Sequence, residues 1–179
     1  MIGEPTDQAG ATQLAAEDPY QFQFWALGLV GARPAEEKKG SDKGIDGRIY
    51  FHDEGSTGTT KQIILSVKGG KTSSPHVRDL IGVLDREKAQ IGVLITLQEP
   101  TRDMKTEAVK AGFYESPWGK HPKCQILTIA ELLKGDRIDA PPIGRWAGDA
   151  TLKAAPKAKA AESKQESMFD TAPKPKRKG

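Results

Sequence analysis

The most constraining feature of this sequence is a pair of apolar, β-branched runs at residues 45–51 and 62–67. They flank a loop rich in Gly and Thr, which is the pattern of a β-hairpin. Asp46 lies at the start of the first run between two glycines, and Lys68 closes the second run. Strands of this length predict that a carboxylate and an ammonium group reach one edge of a sheet.

Such an edge has a specific chemical use. Hydrolysis of a phosphodiester requires a hydroxide near neutral pH and neutralisation of the phosphate charge, and a bound Mg²⁺ supplies both. Because Mg²⁺ prefers oxygen ligands and keeps several waters, one or two carboxylates hold it. Lys68 would then orient the attacking water. The alternative is a structural hairpin in which Asp46 caps a turn and Lys68 is a solvated strand end.

Several blocks of sequence extend this pattern. The runs GSDKGIDG, SVKGG and HVRDLIGVLDREKAQIGVLIT together resemble the PD-(D/E)xK nuclease superfamily, and within it the Mrr-like restriction endonuclease domains. Residues 18–142 are most similar to the Mrr-like domain that accompanies some prokaryotic site-specific DNA methyltransferases. The resemblance implies an α/β fold: a single restriction-endonuclease-like domain with a central mixed β-sheet flanked by helices.

The resemblance also assigns site residues. The first acidic position of the family falls on Asp46, the lysine on Lys68, and the acidic or Gln position between them on Ser66. A serine hydroxyl is a poorer Mg²⁺ ligand than a carboxylate, so another oxygen must complete the shell. Asp42 is the nearest replacement ligand, and Gln21 or Gln23 on the first helix would add an amide oxygen.

The function implied by the resemblance is a Mg²⁺-dependent DNA endonuclease, with Mn²⁺ as an alternative cofactor. It would restrict foreign or modified DNA alongside a DNA methyltransferase, and double-strand cleavage implies a homodimer. Ser66 favours an alternative, namely a catalytically weakened nuclease-like module that binds double-stranded DNA and tethers a methyltransferase or repair partner to it.

Charge restricts where DNA would bind. The net charge of +3 is uneven, since residues 151–179 carry eight Lys and Arg against three Asp and Glu. The remainder is slightly acidic, so a DNA surface must be a local patch. The start of a helix predicted over residues 75–88 offers backbone N–H groups to an anion. The residues predicted to bind DNA are Lys43, Arg48, Lys71, Ser73, His76 and Arg78.

The distribution of apolar and polar residues divides the chain into three parts. Residues 1–17 are expected to form a flexible lead-in in which residues 11–16 can form a short helix, residues 18–146 the domain, and residues 147–179 a disordered tail rich in Lys, Ala and Pro. Within the domain, residues 91–97 and 124–129 read as buried strands, and residues 113–122 as an aromatic loop that stacks on bases or packs on the core.

Within the tail, the run QESMF resembles the short peptides with which bacterial replication proteins dock on the sliding clamp. Gln165 would anchor this peptide, and Met168 and Phe169 would fill a pocket; the alternative is a chance apolar pair. Because no apolar run is long enough to span a bilayer and Cys124 is the only cysteine, we expect a cytoplasmic protein without an internal disulfide.

Overall fold

The computed structural model of this chain describes residues 3–36, 44–52 and 60–141. This part of the chain contains five helices and seven strands. The helices are α1 (Gln8–Glu17), α2 (Pro19–Leu29), α3 (Ser74–Glu87), α4 (Arg102–Lys110) and α5 (Ile129–Leu133). The strands are β1 (Arg33–Pro34), β2 (Gly47–Phe51), β3 (Lys61–Lys68), β4 (Ile91–Thr96), β5 (Phe113–Ser116), β6 (Gly119–Pro122) and β7 (Cys124–Thr128).

A mixed sheet of five strands forms the centre, in the order β1-β2-β3-β4-β7. The first three strands pair antiparallel, so β2 and β3 form the predicted hairpin. The pairs β3–β4 and β4–β7 are parallel, and each needs a crossover connection that passes over a face of the sheet. Helix α3 makes the first crossover and α4 lies in the second. The predicted α/β fold with a helix-flanked mixed sheet is confirmed.

Strand alternation divides the core between the two faces of the sheet. Ile64 of β3 and Leu94 of β4 belong to a buried cluster with Leu84 of α3 and Met104 of α4. Their sequence neighbours are also buried, and point to the opposite face, where α2 packs against β3. Both faces of β3 and β4 are therefore covered, which explains why these strands read as continuous apolar runs.

Helix α2 begins at a local sequence signal for a helix start. Asp18 is its N-cap and accepts a hydrogen bond from the Gln21 N–H, and Pro19 follows in the first turn. The helix packs closely on the start of β2, because a Cβ on Gly47 would lie 2.6 Å from Leu27 Cδ2. Glycine at this position lets the helix and the strand approach each other next to Asp46.

Two expectations differ from the structure. The expected flexible lead-in contains α1, whose Ala11 and Leu14 are buried and whose Gln8 side chain donates to the Leu97 carbonyl at 2.8 Å. Residues 113–122, expected as a loop, form the antiparallel hairpin β5–β6. Four-residue strands with Gly, Pro and charged residues lack the alternation that marks longer strands, so the sequence pattern did not show them.

Two further expectations concern Cys124 and the membrane. Cys124 is buried at the start of β7, and burial raises the pKa of its thiol from 9.0 to about 11. It packs as a small apolar residue. Within residues 3–36, 44–52 and 60–141, each helix is too short or too polar to cross a lipid bilayer.

Candidate functional site

The carboxylate of Asp46 lies where β2 begins, against the neighbouring strand β3. The backbone N–H of Asp46 donates to the Leu65 carbonyl at 2.9 Å, which continues the strand pairing. Its Oδ2 accepts hydrogen bonds from the Val67 N–H at 2.7 Å and from the Ser66 hydroxyl at 3.4 Å. Its Oδ1 accepts one from the Gln23 amide of α2 at 3.1 Å. Both oxygens are thus bonded within the fold.

These donors do not suit a Mg²⁺ ion. A hard cation needs oxygen lone pairs directed at it, whereas Asp46 faces N–H and O–H donors and Gln23 presents its amide nitrogen. Ser66 is only 4% exposed. No three His, Cys, Asp or Glu side chains group as a metal site within the described part of the chain. Asp42, the predicted replacement ligand, lies outside it. Among the described residues only Asp46 belongs to the predicted carboxylate shell, so the Mg²⁺ site stays a prediction.

Lys68 and Ser66 border a cleft between β3 and the first turns of α3. Being two residues apart on a strand, they face the same side of the sheet. The cleft has a volume of about 460 Å³. Its described lining does not include Asp46, whose carboxylate adjoins the cleft through the hydrogen bond from Ser66. The lining residues are Gly44, Ser66, Lys68, His76, Arg78, Asp79, Leu80, Gly82, Val83 and Arg86.

The start of α3 brings four of the predicted DNA-binding residues towards this cleft. Lys71 and Ser73 lie exposed on the approach to the helix, and His76 and Arg78 line the cleft. The Ser73 N–H donates to His76 Nδ1 at 3.1 Å, which holds the imidazole over the first turn. Arg78 forms an ion pair of 3.6 Å with Glu107 of α4 and stays half exposed. The structure thus places two of the four in the lining of the cleft, and the other two on the segment that leads into α3.

Arg48 is not among the residues that line the cleft. Its guanidinium donates to Gln62 Oε1 at 2.7 Å and to Glu87 Oε2 at 3.3 Å, at the last turn of α3. A hydrogen bond from Arg86 is the main cause that holds the pKa of Glu87 below its ordinary value; burial opposes it, and Arg48 adds to the lowering. Arg48 therefore joins β2 to the end of α3 opposite its N-terminus.

Gln21 also lies away from Asp46. It is exposed and borders a separate groove of about 360 Å³ with Leu14, Phe24 and Trp25. The amide that reaches Asp46 is that of Gln23, two residues later on α2. Two positions on a helix differ by about 200° in direction, so only one of these side chains can face the sheet.

The cleft contains charged residues that sequence reasoning missed. Asp79 and Arg86 line it together with Gly82 and Val83. These positions are three or four residues apart and therefore share one face of α3. This spacing was a signal available from the sequence. Other predicted site residues lie outside the described residues: Lys43, Gln165, Met168 and Phe169.

Comparison with known proteins gives one family and one solved structure. A family model described as NACHT-associated inactive Restriction Endonuclease 1 matches residues 20–134. No curated protein matches the chain. A structure of the MspJI restriction endonuclease in complex with a 27-mer oligonucleotide is similar with a TM-score of 0.48 and 16% identity. The similarity covers 70% of this chain and 29% of that one, so the chain spans less than a third of that protein.

Proposed function

Since this chain belongs to the NACHT-associated inactive restriction endonuclease 1 family, we propose that it is a nuclease-like module that binds double-stranded DNA without hydrolysing it. The domain is restriction-endonuclease-like, and the word inactive in the family description favours this function over Mg²⁺-dependent cleavage. The Mrr-like PD-(D/E)xK origin suggested by the sequence is part of the proposal, because Asp46, Ser66 and Lys68 keep the order of that motif.

One observation carries the proposal. The Asp46 carboxylate, which hydrolysis would need as a metal ligand, is bonded to Gln23, Ser66 and Val67. A metal would compete with the Gln23 amide for Oδ1, and would gain from Ser66 only a hydroxyl oxygen in place of a carboxylate. The carboxylate therefore has a structural role, in which it links β2, β3 and α2. The cationic side chains of the adjoining cleft are available to bind an anion.

The charge of the cleft suits a DNA backbone. Lys68, Arg78 and Arg86 line it against the single carboxylate of Asp79. The cleft also lies at the N-terminal end of α3, a helix of 14 residues, whose dipole favours an anion there. Phosphate contacts of this kind fix the position of a protein on a duplex and carry little sequence information. We therefore expect DNA binding that is weakly dependent on sequence and strongly dependent on salt.

The family description supports a proposal about the partner. Its words "NACHT-associated" lead us to propose that the module holds a NACHT-containing partner on DNA. A methyltransferase or repair partner, a homodimer and docking on a sliding clamp through residues 165–169 stay predictions from the sequence.

A binding and nicking experiment tests the function. Fluorescence anisotropy with a labelled duplex, at about 50 and 200 mM salt, compares the parent with Lys68→Ala and with Lys110→Ala. Lys110 is a matched control, because it is an exposed lysine paired with Glu107 on α4 outside the cleft. We expect weaker binding for Lys68→Ala only.

The same proteins are incubated with supercoiled plasmid and Mg²⁺ or Mn²⁺. We expect no nicking by the parent. Metal-dependent nicking that Lys68→Ala abolishes would instead establish the hydrolytic function. Equal DNA affinity of the parent and Lys68→Ala would remove the cleft as the DNA site.

A further inference from the structure

A serine and a histidine of the hairpin β5–β6 and an aspartate after α5 form a chain of polar contacts. Tyr114 lies directly across from His121 in the strand pairing, and Ser116 is two residues further along β5. Ser116 and His121 are therefore diagonal neighbours on one face of the hairpin. The Ser116 hydroxyl lies 3.0 Å from His121 Nε2, and His121 Nδ1 lies 2.7 Å from Asp139 Oδ1.

The side-chain amide of Gln125 bonds both backbone polar groups of Asp139. Its N–H donates to Gln125 Oε1 at 2.9 Å, and its carbonyl accepts from Gln125 Nε2 at 2.7 Å. Because Asp139 then fixes the Nδ1 side of the ring, the neutral imidazole carries its proton on Nδ1 and turns the Nε2 lone pair towards Ser116. His121 itself is only 7% exposed, so its ring orientation is restricted by packing.

The serine oxygen lies at an open turn. It accepts a hydrogen bond from the Trp118 N–H at 3.1 Å, which favours negative charge on that oxygen. The hydroxyl proton has two acceptors, His121 Nε2 at 3.0 Å and the Gly119 carbonyl at 3.1 Å. Attack by the oxygen requires donation to His121, since a carbonyl oxygen cannot take up the proton.

We propose that Ser116 is a nucleophile that accepts an acyl group from esters, with His121 as general base. This combination of nucleophile, base and third orienting group is what activates a serine, and it is recognised by geometry whatever the order in the sequence. Ser116 Oγ bonds to the acyl carbon while its proton moves to His121 Nε2. The ester C–O bond then breaks, and the leaving alcohol takes that proton. Water, deprotonated by His121, hydrolyses the acyl-serine.

The surroundings of the serine select the substrate. The turn is exposed to solvent, and Trp118, two residues after Ser116, is 45% exposed, so it offers an aromatic surface to an aryl group near the turn. The Trp118 N–H bonds the nucleophile Ser116 Oγ and does not stabilise negative charge on the carbonyl oxygen of the ester. An ester with a stable leaving anion needs less of that stabilisation. The substrate class is therefore activated aryl esters. Asp139 and Gln125 are positioning residues, since they act through His121.

Covalent labelling tests the proposal on the full chain. The probe is an aryl fluorophosphonate, followed by peptide mass spectrometry, and p-nitrophenyl acetate hydrolysis gives the rate. We expect a single adduct on Ser116, its loss in Ser116→Ala, and no change in Ser74→Ala, a control serine on α3 outside the hairpin.

Asp139→Asn separates catalysis from folding. The Asp139 side chain is 58% exposed, so the variant is expected to fold with an unchanged unfolding midpoint. The rate of fluorophosphonate labelling of this variant should fall at least tenfold, because general-base catalysis typically raises a rate by about 10²–10⁴. The pH dependence of the labelling rate should also shift. No adduct on Ser116, or equal labelling by the parent and Asp139→Asn across pH, would overturn the proposal.

Discussion

The carboxylate of Asp46 accepts a hydrogen bond of 2.7 Å from the backbone N–H of Val67, the residue between Ser66 and Lys68. The motif position that would bind metal in a nuclease thus supports the strand that carries the motif lysine. Since Gln23 bonds the other oxygen, the carboxylate links α2, β2 and β3. This relationship supports the proposal that Asp46 has a structural role and that Lys68 contacts DNA.

Replacement of Asp46 by Asn is expected to lower the free energy of unfolding by about 2 kcal/mol, because hydrogen bonds to a charged group contribute about 1.5–3 kcal/mol. DNA affinity should stay unchanged. Urea unfolding measures the first quantity and anisotropy the second. Asp85→Asn is the control, since Asp85 is an exposed carboxylate on α3 that does not line the cleft. An Asp46→Asn protein as stable as the parent would contradict the structural role.

Introduction of an acidic residue at the motif position should not restore cleavage. In Ser66→Glu a second carboxylate enters a buried position beside Asp46, and an uncompensated buried charge costs about 3–5 kcal/mol. The expected result is a less stable protein with no metal-dependent nicking of plasmid. Thermal unfolding with and without Mg²⁺ checks it. Recovery of stability by Mg²⁺ together with nicking would show that the metal shell forms after all.

Arg86 should contribute to DNA binding although it lies at the far end of α3 from the predicted patch. It lines the cleft with Lys68, so Arg86→Ala is expected to weaken binding of all duplex sequences alike. The slope of log K against log salt should fall by about one for a lost phosphate contact. Arg102→Ala, an exposed residue of α4, is the control. An unchanged slope in Arg86→Ala would exclude this contact.

Glu87 should make stability depend on pH on the acid side. Its pKa is lowered in the folded protein, so its ionised form contributes stability at pH values above 4.5, and this contribution is lost as pH falls through the lowered pKa. The pair with Arg86 is largely solvated, and such pairs contribute about 0.2–1 kcal/mol. Between about pH 7 and 3, the free energy of unfolding measured in urea should therefore fall less steeply for Glu87→Gln than for the parent. Parallel curves for the two proteins would exclude this contribution.

Cys124 should be unreactive in the folded protein. A pKa of about 11 instead of 9.0 means about 100-fold less thiolate near neutral pH, and burial blocks access as well. Labelling with iodoacetamide should proceed at the ordinary rate in urea and at least about 100-fold more slowly without it. The ratio is measured by mass spectrometry. Rapid labelling of the native protein would place the thiol at the surface.

Much of the fold could be predicted from residue patterns. The signals are local: the apolar runs of β3 and β4, the three- and four-residue spacing of apolar residues in α3, and the Asp18 cap of α2. The predicted bounds of β3, β4 and α3 agree with the structure to within a few residues. The order strand, helix, strand then predicts the parallel pairing of β3 with β4. The short strands of the β5–β6 hairpin carry too few residues for such a pattern.

The sequence by itself determined which elements form, and that Asp46, Ser66 and Lys68 follow one another along the motif. Only the tertiary structure decided what these side chains contact: Gln23 and not Gln21 bonds Asp46. Likewise it aligned residues 116, 121 and 139. The physical reason is that periodicity encodes the buried face of an element, whereas a hydrogen bond depends on ångström-scale placement of one element against another. Packing across the whole core sets that placement.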